Sequence, residues 1–286
     1  MISVLIPVYN YPVGDLVLNL IQQGEATGKN FEIILLDDGS SDYRNQYERW
    51  QNHDSVQLVR SGKNAGRSKS RNRLAELASH PYLLFLDCDG LPKNRQFLMR
   101  YIEIAAPGKV LVGGREYPEN HEPHKTLHHL YGKKREQNAS GFQSNNFLIA
   151  KEDFERIGGF DETLNQYGHE DTLFGVELRR AGISVTNIEN PVYHIGLETN
   201  RAFVEKSLKA VENARELFMA GKIAASDIRL LEFYQRWEKS PLKKSLLRAI
   251  CRKRRRWMKI CLSDRPRLFA LDFLKLCKLE ELSKRA

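Results

Sequence analysis

Asp87 and Asp89 close the most apolar run of the chain, Leu83-Leu84-Phe85-Leu86. Carboxylates at the end of a buried strand carry a desolvation cost that a nearby positive charge must offset. A divalent cation would supply that charge, and hard oxygen ligands suit Mg2+ or Mn2+, which keep coordination positions for a diphosphate. The same pair also fits solvated aspartates capping a strand before a turn at Gly90-Leu91-Pro92. Asp37-Asp38-Gly39-Ser40 ends a second apolar run and is open to two readings. It fits a turn into a helix that starts at Ser40, Ser41 or Asp42. Alternatively, Asp38 could accept the imide N–H of a uracil, with Tyr9 stacked on or flanking the base and Arg71 reaching the base or a phosphate. Lys63-Asn64-Ala65-Gly66-Arg67, ahead of a helical stretch, offers backbone N–H groups and cations of the kind that hold anions.

These residues need a scaffold that brings strand ends together. The first 115 positions alternate short apolar runs with polar, helix-compatible stretches, the α/β pattern. The runs are 2–8, 31–36, 56–59, 82–86 and 110–112, with helical stretches at 13–23, 41–51, 66–78 and 95–105. Several runs are apolar at consecutive positions, as parallel strands covered on both faces require. Ligands of such sheets bind beyond the carboxyl ends of the strands, where Pro7-Val8-Tyr9-Asn10, Asp37 to Asp42 and Asp87 to Gly90 all fall. Residues 116–138, polar and rich in His and Lys, read as a long loop. Beyond it, 147–150 reads as a strand, 151–157 and 170–180 as helices, and 183–188 as a strand, after which the chain is mainly helical. His124 and His128, spaced i, i+4 and flanked by His121 and His129, could grip a transition metal on a helix. Pro123 and the polar flanks favour instead a mobile loop that orders when a ligand binds.

With 286 residues, 41% of them apolar and 28% charged, the chain is an ordinary globular protein rather than a disordered one. No window approaches the roughly 18 apolar residues of a spanning helix. The opening MISVLIPVYN has no basic n-region or cleavage site, which predicts a cytoplasmic protein and an unused sequon at Asn138-Ala139-Ser140. Four cysteines without CxxC pairing or metal-ligand spacing read as reduced thiols. The net charge of +9 is uneven: residues 241–286 hold 15 Lys/Arg against 4 Asp/Glu. Residues 241–260 interleave Leu246, Leu247, Ile250, Trp257, Met258 and Ile260 with basic residues. This suits a peripheral position on an anionic membrane at the inner face of the cell, with Trp257 at headgroup level. Leu268 to Leu282 form an amphipathic stretch that could follow the membrane, fold back on the enzyme or pair with another chain, making a homodimer possible. Nucleic acid is not expected as a partner, because the basic run is short and no nucleic-acid fold accompanies it.

Five motifs in order, IPVYN (6–10), DDGSSD (37–42), NAGRSKSRN (64–72), FLDCDG (85–90) and GGFDETLNQYGHEDTLFGVELRRAG (158–182), resemble the family 2 glycosyltransferases of the GT-A fold. The likeness spans roughly residues 1–196. It implies a Rossmann-like mixed, mostly parallel sheet flanked by helices as a catalytic domain over residues 1–200, with 201–286 a helical, basic extension. By the same resemblance, Pro7, Tyr9, Asp38, Asn64, Arg71, Asp87 and Cys88 belong to the nucleotide site. Asp87 and Asp89 match the DxD motif that meets ribose and metal, with His194 an added metal ligand. Glu170-Asp171 match the ED motif, whose aspartate is the general base of the inverting members. The surroundings of Gly159 and Phe160 match a stretch near the sugars. Where many members have Ala, this chain has Ser70.

The implied activity is inverting transfer of a sugar from a nucleotide sugar, a UDP-sugar, with Mn2+ or Mg2+, to a glycan or lipid-linked acceptor in polysaccharide biosynthesis. Among the residues themselves, acidic side chains in a helix's first turn are also favoured by the helix dipole alone, which would explain Glu170 and Asp171 without chemistry. A sugar nucleotidyltransferase would share the α/β nucleotide fold, but no glycine-rich N-terminal phosphate loop of that kind is present. A phospho-acceptor signalling domain would use Asp37-Asp38 and leave Asp87, Asp89 and Glu170-Asp171 unexplained.

Overall fold

Runs of consecutive apolar residues fold as the middle of one sheet. The computed structural model of the chain describes residues 1–137, 139, 141–164 and 168–284. Its strands are β1 (Ile2–Val8), β2 (Phe31–Asp37), β3 (Val56–Arg60), β4 (Tyr82–Leu86), β5 (Gly90–Pro92), β6 (Lys109–Val112), β7 (Arg115–Glu116), β8 (Asn146–Ala150), β9 (Ser184–Asn187) and β10 (Val192–His194). Its α-helices are α1 (Gly14–Ala26), α2 (Arg44–Glu48), α3 (Arg67–Leu77), α4 (Phe97–Ile104), α5 (Thr126–Tyr131), α6 (Lys151–Arg156), α7 (Glu170–Arg180), α8 (Asn200–Met219), α9 (Arg229–Glu238), α10 (Pro241–Arg252), α11 (Arg254–Cys261) and α12 (Leu268–Ser283). Two compact units result, one of Met1–Pro118, Ala139–Thr163 and Glu177–Gly196, the other of Glu119–Asn138, Leu164–Val176 and Leu197–Ala286.

The first unit holds a seven-stranded sheet in the order β3-β2-β1-β4-β8-β6-β9. β1 runs parallel to β2 and β4, β2 to β3, and β6 to β9, while β8 is antiparallel to both β4 and β6. This is the mixed, mostly parallel sheet the family resemblance implies, and the central Val4, Leu5, Ile33, Ile34, Leu84 and Phe85 are fully buried. Register explains where a ligand site can open. β1 stays paired with β2 as far as Val8 and Asp37, but with β4 only as far as Leu5 and Phe85. The two neighbours therefore separate at their carboxyl ends, where the strand order reverses and doubly wound sheets bind ligands. Pro7 lies beyond the last β4 pair, a place where a residue without an N–H is tolerated in a strand.

A second sheet of three short strands, β5-β10-β7, carries no signal in the residue pattern, because two or three residues cannot show a period. It matters for position, since it sets His194 opposite Gly90, the residue after Asp89. Asn146 fixes the end of β8 nearby. It accepts from the Tyr101 hydroxyl at 2.7 Å and donates to the carbonyls of Gly114 and Asn190 at 3.0 and 2.9 Å. A Cβ on Gly113 would come within 2.3 Å of the Tyr101 oxygen and 2.4 Å of the Asn190 carbonyl.

The second unit corrects the reading of residues 116–138. Residues 116–138 are not a long loop: Pro123–Lys125 form a 3-10 turn, α5 follows, and Gly132–Glu136 form a π-helical turn. Leu127, His128 and His129 are buried, the His128 ring stacks on Phe203 at 4.4 Å, and its Nδ1 accepts from the Glu198 N–H. His124 is exposed beside Glu122, so His124 and His128 do not form a grip. The sequon 138–140 lies outside the described residues except for Ala139. This unit also takes in α5 and the start of α7, which bury their apolar side chains here. Leu127 packs with Phe203, Val204, Leu271 and Leu274, and Leu173 and Val176 pack with Val211, Leu217, Leu231 and Leu276. Of the three courses open to the last helix, α12 takes the one that folds back into this core. Trp257 is likewise no free anchor, since its Nε1 donates to the Ile250 carbonyl at 2.9 Å and its ring meets Phe269 and Phe273. No described helix is long and apolar enough to cross a membrane.

Candidate active site

Loops after β1 and β2 lock together before any ligand arrives. Asn10, in the left-handed region at φ 48°, donates its backbone N–H to the Ser40 hydroxyl and accepts with Oδ1 from the N–H groups of Ser41 and Asp42. Asp37 accepts from the Ser40 N–H at 2.9 Å. Asp38 is buried, and its two oxygens accept from the N–H groups of Ala65 and Gly66 at 2.8 and 3.0 Å. The anion at the start of α3 is thus Asp38 itself, which corrects the expectation that those amides await a ligand. Gly39 is required here, with φ at 77° and an added Cβ only 2.6 Å from the Lys63 carbonyl carbon. Asn64 therefore sits in a loop packed on Gly39 and held by Asp38. Tyr9 is half exposed at the end of β1.

The paired aspartates at the end of β4 differ in what meets them. Arg71, a fully buried side chain of α3, donates through Nη2 to Asp87 Oδ1 at 2.7 Å and lies over the Phe160 ring at 5.2 Å. Arg71 therefore fixes Asp87 at the end of β4. Phe160 is buried as well, beneath the Arg71 guanidinium. Asn72, next along α3, clasps the same loop by donating to the Phe160 carbonyl and accepting from its N–H, at 2.8 and 2.9 Å. Cys88 lies between the aspartates with its thiol pushed up by burial and by the Asp89 and Asp87 charges.

Asp89 is wrapped by the chain following β10. His194 Nδ1 is 3.4 Å from Asp89 Oδ1, the Ile195 N–H donates to the Asp89 carbonyl at 3.0 Å, and a Cβ on Gly196 would lie 2.4 Å from Asp89 Oδ2. Burial disfavours ionisation of Asp89, but the charges of His194, Arg67 and Arg115 outweigh it and hold the carboxyl at about 2. The Tyr11 phenol is pushed up by burial and then by the charges of Asp89 and Cys88, so it too belongs to this neighbourhood. Tyr11 and Arg115 carry no sequence signal, since one follows a motif and the other lies in a two-residue strand. Among the described residues no three His, Cys, Asp or Glu side chains could hold a metal alone. The donor set of Asp89 oxygen and His194 nitrogen, with Asp87 ion-paired alongside, fits a divalent cation that takes its remaining ligands from substrate phosphates and water.

Glu170 and Asp171 open α7 and belong to the second unit. Gly168 and His169 before them both have left-handed backbones, at φ 100° and 68°. A Cβ on Gly168 would meet that of Ala210 at 2.6 Å, and the Gly168 carbonyl accepts from Asn213 at 2.8 Å, so this turn is pinned to α8. Glu170 is buried, and Asp171 Oδ1 accepts from the Thr172 N–H at 2.7 Å. Burial pushes the His169 imidazole down to about 4, against the pull of Glu170. A histidine depressed from the usual value near 6.5 contributes stability above that pH and loses it as pH falls towards 4. Stability measured by urea unfolding should therefore drop by at most about 3 kcal/mol between pH 6.5 and 4 on this residue's account. His169→Asn, which tolerates the left-handed backbone, should flatten that stretch of the profile, and an unchanged slope would refute the assignment.

A doubly wound, mixed sheet with paired aspartates at its strand-order reversal and an imidazole folded onto the second is that of a GT-A glycosyltransferase. The chain belongs to glycosyl transferase family 2, whose model matches residues 3–161, and residues 125–198 match the model described as the N-terminal domain of galactosyltransferase. It is 28% identical over 223 residues to a validoxylamine A glucosyltransferase of Streptomyces hygroscopicus subsp. limoneus, covering 65% of this chain and 49% of that protein. It is 26% identical over 237 residues to a chondroitin synthase of Escherichia coli, covering 68% of this chain and 34% of that one. The chain thus spans about half the length, or less, of these curated relatives. Its fold is similar to that of a mannosyltransferase of Pyrobaculum calidifontis solved with GDP-Man and Mn2+, at a TM-score of 0.59 and 15% identity over 100% of this chain and 88% of the other. TarS of S. aureus, residues 1–349 with UDP, aligns at a TM-score of 0.53 and 16% identity, covering 100% and 92%.

Proposed function

We infer that the protein is a metal-dependent, inverting glycosyltransferase that takes a sugar from a UDP-sugar and delivers it to a glycan or lipid-linked acceptor in polysaccharide biosynthesis, working peripherally at the inner face of the cell membrane. The observation that carries this reading is the Asp89 carboxylate enclosed by His194, Ile195 and Gly196 beside Asp87, itself paired with the buried Arg71. Mn2+ or Mg2+ held by Asp89 and His194 would act as a Lewis acid on the departing diphosphate. Asp87, held by Arg71, keeps its carboxylate at the edge where ribose and diphosphate would lie. Tyr9 offers a half-exposed ring to flank the base. UDP in one fold neighbour supports the choice of base, while GDP-Man in another makes GDP the necessary control.

Asp171 supplies the base. It stands in the first turn of α7, where the helix dipole favours the charged carboxylate. In that form it can take the proton of an acceptor hydroxyl as that oxygen attacks the anomeric carbon from the face opposite the leaving diphosphate. Glu170, buried beside it, orients the turn. A panel of UDP- and GDP-sugars incubated with Mn2+ should release UDP and no pyrophosphate. Release of pyrophosphate from a nucleoside triphosphate and sugar phosphate would instead establish nucleotidyl transfer.

A further inference from the structure

The basic terminal helices present an arrangement that the transferase site does not use. In α10, Leu247 is buried and Cys251 half-buried, whereas Leu242 and Leu246 are 85% and 52% exposed. Four positions apart, these two leucines share one helix face. A helix that merely faces water carries polar residues there. Much of the positive charge on α10 and the following α11 is uncompensated. Arg254 pairs with Glu281, Lys284 with Glu280, and Asp272 is held by Arg135, so three of the four acidic residues of 241–286 already have cationic partners. Among the described residues no carboxylate lies within ion-pair distance of Lys243, Arg248, Arg252, Arg255 or Lys259.

Resting on the membrane-face reading above, we propose that the solvent face of α10, with Leu242 and Leu246 set among unpaired Lys and Arg, docks the protein on an anionic lipid surface. Exposed leucines enter the acyl boundary while the cations meet phosphate headgroups, the division of labour of an interfacial amphipathic helix. A nucleic acid would use the cations and leave the leucines idle. Trp257, tied to the Ile250 carbonyl, takes no part.

Co-sedimentation of the full chain with phosphatidylglycerol vesicles and with phosphatidylcholine vesicles tests this. Partition should be at least about tenfold stronger on phosphatidylglycerol, should weaken as salt rises, and should fall about tenfold in Leu242→Ser/Leu246→Ser. Both leucines are exposed, so the double variant should fold as the parent does. Equal partition on the two lipids would overturn the proposal. So would anionic binding indifferent to the leucine changes, as expected of a polyanion site, or self-association without vesicles that the double variant abolishes, which would assign the face to a second copy. UDP titration of the same samples reports on the transferase site separately, so the failure of one reading is not mistaken for failure of the other.

Discussion

Asp171→Asn should lower the rate of sugar transfer by about 10² to 10⁴ while UDP binding with Mn2+ stays within about twofold of the parent. The substitution keeps the shape of the side chain and its capacity to accept from the Thr172 N–H, a bond now made at 2.7 Å. What it removes is the ability to take a proton from the acceptor hydroxyl. The donor site proposed above is built from Asp87, Asp89 and His194, which belong to the other unit. Steady-state transfer assays beside binding titrations separate the two effects. A variant that keeps its rate would reduce Glu170 and Asp171 to acidic residues stabilising a helix start.

Gly196→Ala should weaken Mn2+-dependent UDP binding tenfold or more. The added methyl would stand 2.4 Å from Asp89 Oδ2 and 2.7 Å from Asp89 Cβ, so either the carboxylate or the 193–196 segment must move. Overpacking of this kind costs about 1–3 kcal/mol, and about 1.4 kcal/mol is already a factor of ten when it falls on a binding geometry. Gly62→Ala is the matched control, since its Cβ would meet nothing within 4 Å. Equal binding in both variants would show that Asp89 need not occupy its present position.

How far the site was legible in the sequence depended on whether a signal was local. The apolar runs returned as β1 to β4, with β1 and β4 at the expected bounds and β2 and β3 one residue longer; in β2 and β4 four or five consecutive apolar residues declare a buried strand without help. α7 likewise begins and ends where its acidic first turn and Gly182 place it. The burial of Arg71 was hidden for the opposite reason. A cation read by itself suggests a solvent-facing hand, and its burial is created by Asp87 and Phe160, which only the fold brings to it. The bonds of Asp38 were hidden similarly, because the amides it satisfies lie in a different loop. Residues 116–138 read as a loop since their helix covers a core assembled from α8 and α12. His194 was reachable only through resemblance, because a three-residue strand gives no pattern to find.

The most direct test of a donor site built around Asp89 is calorimetric titration of the protein with UDP, with and without Mn2+, with GDP and Asp89→Ala as controls. The account predicts UDP binding that needs Mn2+, exceeds GDP binding, and is lost in Asp89→Ala. UDP binding indifferent to Mn2+ and to Asp89, or no binding of either nucleotide, would contradict it.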